Sequence, residues 1–263
     1  MTRISLPRVY IRAAAMAMAS AMADRANLVL QVSGMVLNNG FMLTLWFLFF
    51  AGFHGVGGWR APDMALLIGI MMTLVGVAGV AFGGYRDMAA VIRSGEIDAL
   101  LTQPRSVLAR LLSRDSLPSA WGDLLTGLVI LIAFAGIGPR DLPWLAIGWT
   151  CGLTIYLSIA VTFASLAFWL PGARSLARDL TEFVILISTF PGSIYSGASK
   201  LIAYSLLPAG FIVLTPVRLL RRPGLETLVI EIGAVLVYGV VAAGVFSLGL
   251  RRYRRGSTPV MAG

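Results

Sequence analysis

The side chains that could do chemistry are too few to form a catalytic or metal-binding cluster. His54 is the lone histidine, Cys151 the lone cysteine and Lys200 the lone lysine in 263 residues. Structural zinc sites and hydrolytic triads each need several such groups together. A phosphate-binding loop of the GxxxxGK[ST] type is excluded because Lys200 follows Ser199, not glycine. We therefore expect no catalytic residue, no metal and no cofactor in this chain, so any ATP energy must come from a partner.

Three acids lie close to apolar runs: Asp123, Glu182 and Glu231. Each falls near a predicted span end, where we expect it to pair with an arginine such as Arg178 or Arg222. Carriers coupled to protons use carboxylates and histidines in the middle of the membrane. Their near absence argues against an ion- or proton-coupled secondary transporter, which stays the alternative function. A membrane-embedded enzyme is opposed by the lack of any His, Cys or carboxylate cluster.

The composition is that of an integral membrane protein. Hydrophobic residues make up 58% of the chain and charged residues 13%, and the mean hydropathy is +0.85. The net charge of +9 is almost wholly arginine. These arginines lie in short loops between apolar runs, so they indicate membrane topology. We expect no nucleic-acid partner.

The apolar runs predict an all-α membrane protein with six transmembrane helices in one domain, 1–263. A hydrocarbon core about 30 Å thick needs about 20 apolar residues per helical span. The predicted spans are 32–53, 64–84, 120–137, 144–170, 180–193 and 225–250. Segment 1–25 is predicted as an amphipathic helix in the cytoplasmic interface, with a signal peptide as the alternative. Gly79 and Gly83 in the second span predict a close helix contact.

Prolines break the long apolar stretch before the last span. If segment 194–220 crossed fully, the C-terminal arginines 251–255 would lie outside, against the charge bias of membrane proteins. We therefore predict that it enters the bilayer and returns on the outer side, and that both termini are cytoplasmic. This arrangement leaves Arg218, Arg221 and Arg222 outside. Breaks at membrane depth are tolerated only where protein buries them or they line a cavity, so we expect this segment to line one.

Segment 85–115 is the long charged stretch of the chain and is predicted to be cytoplasmic. Gly95 is a natural left-handed helix stop, Pro104 ends a second short helix, and Ser106 is a candidate N-cap for a third. Segment 85–115 is therefore predicted to be ordered helix, not loose loop.

The short helix between Gly95 and Pro104 has an apolar face. Ile97, Leu100 and Leu101 are spaced i, i+3 and i+4, and Glu96 and Asp98 bracket them. We expect a groove on a partner to take that face, with basic residues meeting the two acids at its rim.

The chain resembles a known family most clearly at residues 92–104. Their sequence, IRSGEIDALLTQP, is similar to the "I-x-x-G-x-L/I-D-x-L-L-x-x-P" signature of the membrane subunits of type 2 ABC exporters, in the branch called ABC-2 family transporter protein. Weaker matches are Gly58-Trp59, Pro191 with Ile194, and Pro208 to Phe211 with Pro216. Phe190 stands where that branch would have tyrosine.

The resemblance implies a permease subunit with six spans, an interfacial N-terminal helix and re-entrant outer helices before the sixth span. It implies a coupling helix, seated in a groove of a separate ATPase that carries ATP and Mg. The residues it assigns to coupling are Gly95, Glu96, Ile97, Asp98, Leu100, Leu101 and Pro104, and those of the re-entrant segment are Pro191, Ile194, Pro208, Phe211 and Pro216.

The same resemblance implies a second permease chain, identical or related, within the lipid of a bacterial cytoplasmic (inner) membrane. The cargo is not specified by any motif. Trp46, Phe47, Phe49 and Phe50 suit an apolar or amphipathic cargo such as a drug or a lipid.

Overall fold

A computed structural model describes residues 6–52, 57–102 and 106–256. The regular structure in these ranges is helical, which confirms the all-α prediction. The α-helices are α1 (Leu6–Ala23), α2 (Arg25–Gly52), α3 (Ala61–Phe82), α4 (Met88–Ser94), α5 (Asp98–Leu101), α6 (Val107–Leu112), α7 (Ala120–Ala133), α8 (Leu142–Ser165), α9 (Ala173–Ser188), α10 (Gly197–Ala203), α11 (Thr215–Arg221) and α12 (Leu225–Gly256). A π-helical segment, Gly210–Leu214, precedes α11.

Four helical stretches of the described chain are long and apolar enough to cross a membrane. They are Arg25–Gly52, Ala61–Ser94, Leu142–Phe168 and Leu225–Arg255. The predicted third span is shorter than expected, because α7 has 14 residues and is followed by Gly136 in a left-handed conformation and then Pro139. The predicted fifth span corresponds to the 16-residue amphipathic α9.

Helix α3 is the centre of the bundle. Of its most apolar window, 72% is buried, compared with 6% for α2 and 17% for the last span. Leu67, Ile70 and Leu74 on α3 are fully buried. The outer helices α2 and α12 instead expose large apolar side chains such as Phe41 and Val240. Exposed apolar helix faces of this size are typical of surfaces that lipid or another membrane chain covers.

Helices α3 and α7 pack with their backbones in contact. A Cβ atom on Gly76 would lie 2.6 Å from the backbone nitrogen of Leu124, and one on Gly127 would lie 2.7 Å from that of Thr73. A Cβ on Gly79 would overlap that of Ala120, which confirms the close contact predicted there. Small residues allow such approach, and close packing is a main source of helix association in lipid.

The bundle has two distinct ends, which we call the Trp59 end and the Gly95 end. At the Trp59 end, Arg221 forms an ion pair with Asp63, and its guanidinium lies 4.8 Å from the centre of the Trp59 ring. At the Gly95 end, the Tyr253 hydroxyl lies 3.7 Å from where a Gly95 Cβ would be. The C-terminal part of α12 and helices α4 to α6 therefore share one end.

The proline-rich segment before α12 leaves and returns to the Trp59 end. It starts at Gly192, where an added Cβ would lie 3.6 Å from the Trp59 ring, and it comes back at Arg221. Between these points the π-helical segment packs against α8, with the carbonyl of Ile212 in contact with Gly152. Both ends of the segment therefore lie at the Trp59 end, and residues 207–210 and 212–217 between them are buried.

The contact of Gly76 with α7 can be tested as a source of the stability of the bundle. We expect Gly76→Ala to lower the free energy of unfolding by about 1–3 kcal/mol, because the methyl group meets the α7 backbone, which cannot move aside cheaply. The measurement is the thermal unfolding of the purified chain in detergent.

Gly40→Ala is the matched control. Gly40 is also within a helix, and nothing lies within 4 Å of its added Cβ, so alanine there should be neutral or stabilising. Equal losses for both variants would contradict the assignment of the α3–α7 contact as the critical one.

Candidate functional site

The charged segment between α3 and α7 is ordered as the sequence predicts. Helix α4 ends at Gly95, which has φ of +81°, in the left-handed region that glycine favours. Helix α6 starts after Ser106, whose hydroxyl accepts a hydrogen bond from the Ala109 amide (3.4 Å). Both predicted helix boundaries are confirmed, whereas Pro104 lies outside the described residues.

Charged and polar contacts hold α5 to α6. Glu96 forms an ion pair with Arg114 at 2.7 Å, and the Arg110 guanidinium donates to the Leu100 carbonyl at 3.4 Å. The hydrogen bond from Arg114 and a second one from Ser94 lower the pKa of the Glu96 carboxyl. The first partner of Glu96 is therefore within its own chain, not a basic residue of another protein.

The apolar face of α5 is turned inward. Ile97 is 0% exposed, and Leu100 and Leu101 are half-buried against the same core. The expectation that Ile97 contacts a partner is therefore wrong for this conformation, because its own chain covers it. Glu96, Asp98 and Ala99 are exposed around α5, and Arg93, Ser94 and Thr102 beside them are exposed as well. We call helices α4 to α6 with this surface the coupling element, after the role that the family resemblance implies for it.

The coupling element contacts two long helices. Asp98 faces the hydroxyl of Tyr253 on α12, and the Tyr253 ring packs edge-on near Phe168 with centroids 6.1 Å apart. On the other side, Tyr85 precedes α4 and accepts a hydrogen bond from the Tyr156 hydroxyl of α8 at 3.1 Å. The element is therefore in contact with both α8 and α12.

Two of the three acids near spans have polar partners. Glu182 is bonded to Arg178 at 2.9 Å and lies 3.8 Å from Arg86, as the sequence predicts. Asp123 instead accepts a hydrogen bond from the Asn39 amide at 2.9 Å. Asp123 pairs with Asn39 and not with the expected arginine, because α2 packs on α7 and places Asn39 opposite Asp123. This buried bond joins the two helices.

Glu231 does not pair with an arginine, so the expectation for the third acid is wrong. It is 0% exposed, and neither carboxyl oxygen has a hydrogen-bond partner among the described residues. The Thr215 hydroxyl beside it donates to the Gly210 carbonyl instead, at 3.0 Å. Glu231 lies about 9 Å along α12 from Leu225, at about 1.5 Å per residue. It is therefore well inside the helix and does not pair with Arg222. In the sequence, the only sign of this buried acid is its place within an otherwise apolar run.

The residues assigned to the re-entrant segment are mostly packed into the bundle. Pro191, Pro208 and Pro216 are buried, Phe211 is half-buried, and Ile194 is exposed. The Phe211 ring contacts Tyr204 edge-on, with centroids 5.1 Å apart. These residues therefore lie between α8 and α12. His54 lies outside the described residues.

The fold and this site define a multi-pass helical membrane protein with a rigid polar element at one end. Among the described residues no group of three or more His, Cys, Asp or Glu side chains could hold a metal ion. The family described as ABC-2 family transporter protein matches residues 36–257, and the chain belongs to that family. No curated protein and no solved structure matches it. Permeases of this family are generally transport subunits that work with a separate ATP-binding subunit.

The ion pair within the coupling element predicts a measurable titration. Arg114→Gln should raise the pKa of Glu96 towards its ordinary value, because the main stabiliser of the charged form is lost. The carbon-13 shift of the Glu96 carboxyl, followed against pH, measures this change. Arg110→Gln is the control, since Arg110 bonds Leu100 and not Glu96.

The lowered pKa of Glu96 determines how the stability of the fold depends on pH. The folded chain holds the pKa of Glu96 below its unfolded value, so the pair stabilises the fold above the unfolded pKa. That contribution is lost as the pH falls through the lower folded pKa. An unchanged Glu96 titration in Arg114→Gln would show that the pair does not form in solution.

Proposed function

We propose that this chain is the permease subunit of an ATP-driven exporter for an apolar or amphipathic substrate, such as a drug or a lipid. The observation that carries the proposal is the coupling element, which presents two exposed acids, Glu96 and Asp98, and contacts two membrane-length helices. In this proposal the chain performs no chemistry. ATP and Mg bind to two copies of a separate ATPase, which the coupling element contacts.

The proposed topology has six crossings, made by α2, α3, α7, α8, α9 and α12, with α1 in the interface. The Gly95 end faces the cytoplasm of a bacterial cell, because arginines of the coupling element and the C-terminal arginines of α12 cluster there. Both termini belong to the same side. The Trp59 end, with the segment 194–220, then faces outward and dips into the bilayer.

An apolar cavity supports a path for such a substrate. It has a volume of about 660 Å³ and lies between α2, α3 and α7 towards the Trp59 end. Trp46, Phe47, Phe50, Met64 and Phe134 line it. The exposed apolar faces of α2 and α12 leave room for lipid and for a second permease chain, identical or related, to complete the path.

The proposed mechanism uses the two contacts of the coupling element. Closure of the ATPase pair on ATP displaces the element, which moves α8 through Tyr85 and Tyr156 and moves α12 through Tyr253. The two permease halves then shift as largely rigid bodies and expose the path to the outside. ATP drives this change because it binds the closed ATPase state more tightly than the open one.

Positive charge added to the coupling element tests the proposal. We expect Asp98→Arg and Ala99→Arg each to weaken ATPase docking more than tenfold, or about 1.4 kcal/mol, because a new positive charge meets the basic rim of the proposed groove. Co-purification of the ATPase with each variant measures docking. It also tests whether the Gly95 end is cytoplasmic.

Glu226→Arg is the control, since it reverses an exposed acid at the Trp59 end. If both element variants retain a fully active ATPase, the segment is an ordinary loop. ATP hydrolysis by the lone purified chain would also refute a separate motor.

A second candidate function is an ion- or proton-coupled secondary transporter, and Glu231 is the observation that favours it. Buried ionisable groups inside spans mark proton and ion pathways in many carriers. Under our proposal, liposomes that contain the lone chain should keep an imposed pH gradient, with or without a fluorescent lipid analogue. Liposomes that contain the Glu231→Gln variant should keep it equally well. A pH-sensitive dye in the lumen measures the gradient. Dissipation by the native chain but not by Glu231→Gln would establish the second function instead.

A further inference from the structure

A cavity rich in positive charge lies at the Trp59 end. It has a volume of about 380 Å³ and is enclosed by the turn before α3, Gly192, α10 and α11. Its basic and aromatic lining residues are Trp59, Lys200, Tyr204, Arg218, Arg221 and Arg222. We call this the cationic cavity. It includes the lone lysine of the chain, although the surrounding segments are otherwise apolar.

The positive charge in the cavity is mostly uncompensated. Arg221 forms an ion pair with Asp63 and stacks over Trp59. Lys200, Arg218 and Arg222 form no salt bridge within the described residues. Arg218 and Arg221 are three positions apart on α11, and Arg222 follows directly after the helix, so these like charges lie close together and repel one another. An anion in the cavity would remove that repulsion.

The arginines are held by a rigid support. Their helix, α11, is anchored by Val217, Leu219 and Leu220, all of which are buried, and α11 packs against α8 beside Gly148. The backbone positions from which the arginines project are therefore set by the fold. Three arginines at this end also oppose the charge bias that places arginine in the cytoplasm. Binding of a ligand gives a reason for this departure.

We propose that the cationic cavity binds a phosphate group, supplied either by a phospholipid headgroup or by a soluble phosphate ester. Arginine forks match phosphate oxygens in bidentate geometry, and lysine adds a point charge. Arg218, Arg222 and Lys200 bind the phosphate oxygens, and Tyr204 supplies a hydroxyl donor. Arg221 is held by Asp63 and Trp59 and forms the wall of the site. Tryptophan at this level is typical of the headgroup region of a membrane.

The site goes beyond the proposed function, because it requires no ATPase and no second permease chain. Its assignment to the outer surface and the argument from the arginine charge bias rest on the proposed topology. Binding measured on the lone chain therefore tests the phosphate site separately from the proposed function. A chain that fails to dock the ATPase can still bind phosphate. A chain that fails to bind phosphate can still dock the ATPase.

The test uses the full chain purified in neutral detergent. Native mass spectrometry measures retention of phosphatidylglycerol against a neutral diacylglycerol, and calorimetry measures binding of inorganic phosphate and glycerol phosphate. The variant is Arg218→Gln with Arg222→Gln. The matched control is Arg140→Gln with Arg252→Gln, which removes the same charge from exposed positions outside the cavity.

We expect the cavity variant to bind the phosphate ligand at least about tenfold more weakly than the native chain, since two charge-assisted contacts are lost. The control should bind as the native chain does. Retention of phosphatidylglycerol alone identifies a lipid headgroup, and calorimetric binding of the small phosphates identifies a soluble ligand. Equal losses in cavity and control variants, or no binding of any probe by the native chain, would overturn the proposal.

Discussion

The close contact between α3 and α7 is the constraint on which the rest of the bundle depends. In lipid, apolar side chains gain little from helix association, so close packing and interhelical hydrogen bonds must hold the helices together. Gly76 and Gly127 bring the two backbones together and bury α3. With α3 fixed, Thr73 accepts a hydrogen bond from Trp149 of α8 at 3.1 Å. The Asn39–Asp123 bond then attaches α2 to α7.

Local sequence signals predicted local structure well. Gly95 and Ser106 define helix ends through backbone conformation and capping, which depend on a few neighbouring residues, and the apolar runs predicted the long helices. Burial depends on what the fold brings together from afar. Ile97 has the spacing of a docking face, but the chain folds that face onto its own core. Glu231 lay in a predicted span, yet the sequence did not show that α12 turns it inward.

The two ends of the bundle have different electrostatic character. At the Gly95 end, acids and arginines are close enough to pair, as Glu96 does with Arg114 and Glu182 with Arg178. At the Trp59 end the arginines of α11 outnumber their acidic neighbours, and Asp63 compensates one of them. Within the coupling element, the Glu96–Arg114 pair joins the residues before α5 to those after α6. Unpaired charges make the opposite end attractive to an anion.

Helix α12 is the element that connects these two ends. Its Tyr253 lies beside the coupling element, and its Glu231 lies beside Thr215 at the start of α11. The segment just before Thr215 is π-helical, and such segments are rare and often occur at functional sites. In the proposed mechanism, a shift of α12 at the Gly95 end would act on this less regular turn and on α11. The arginines of the cationic cavity would then move with the transport cycle.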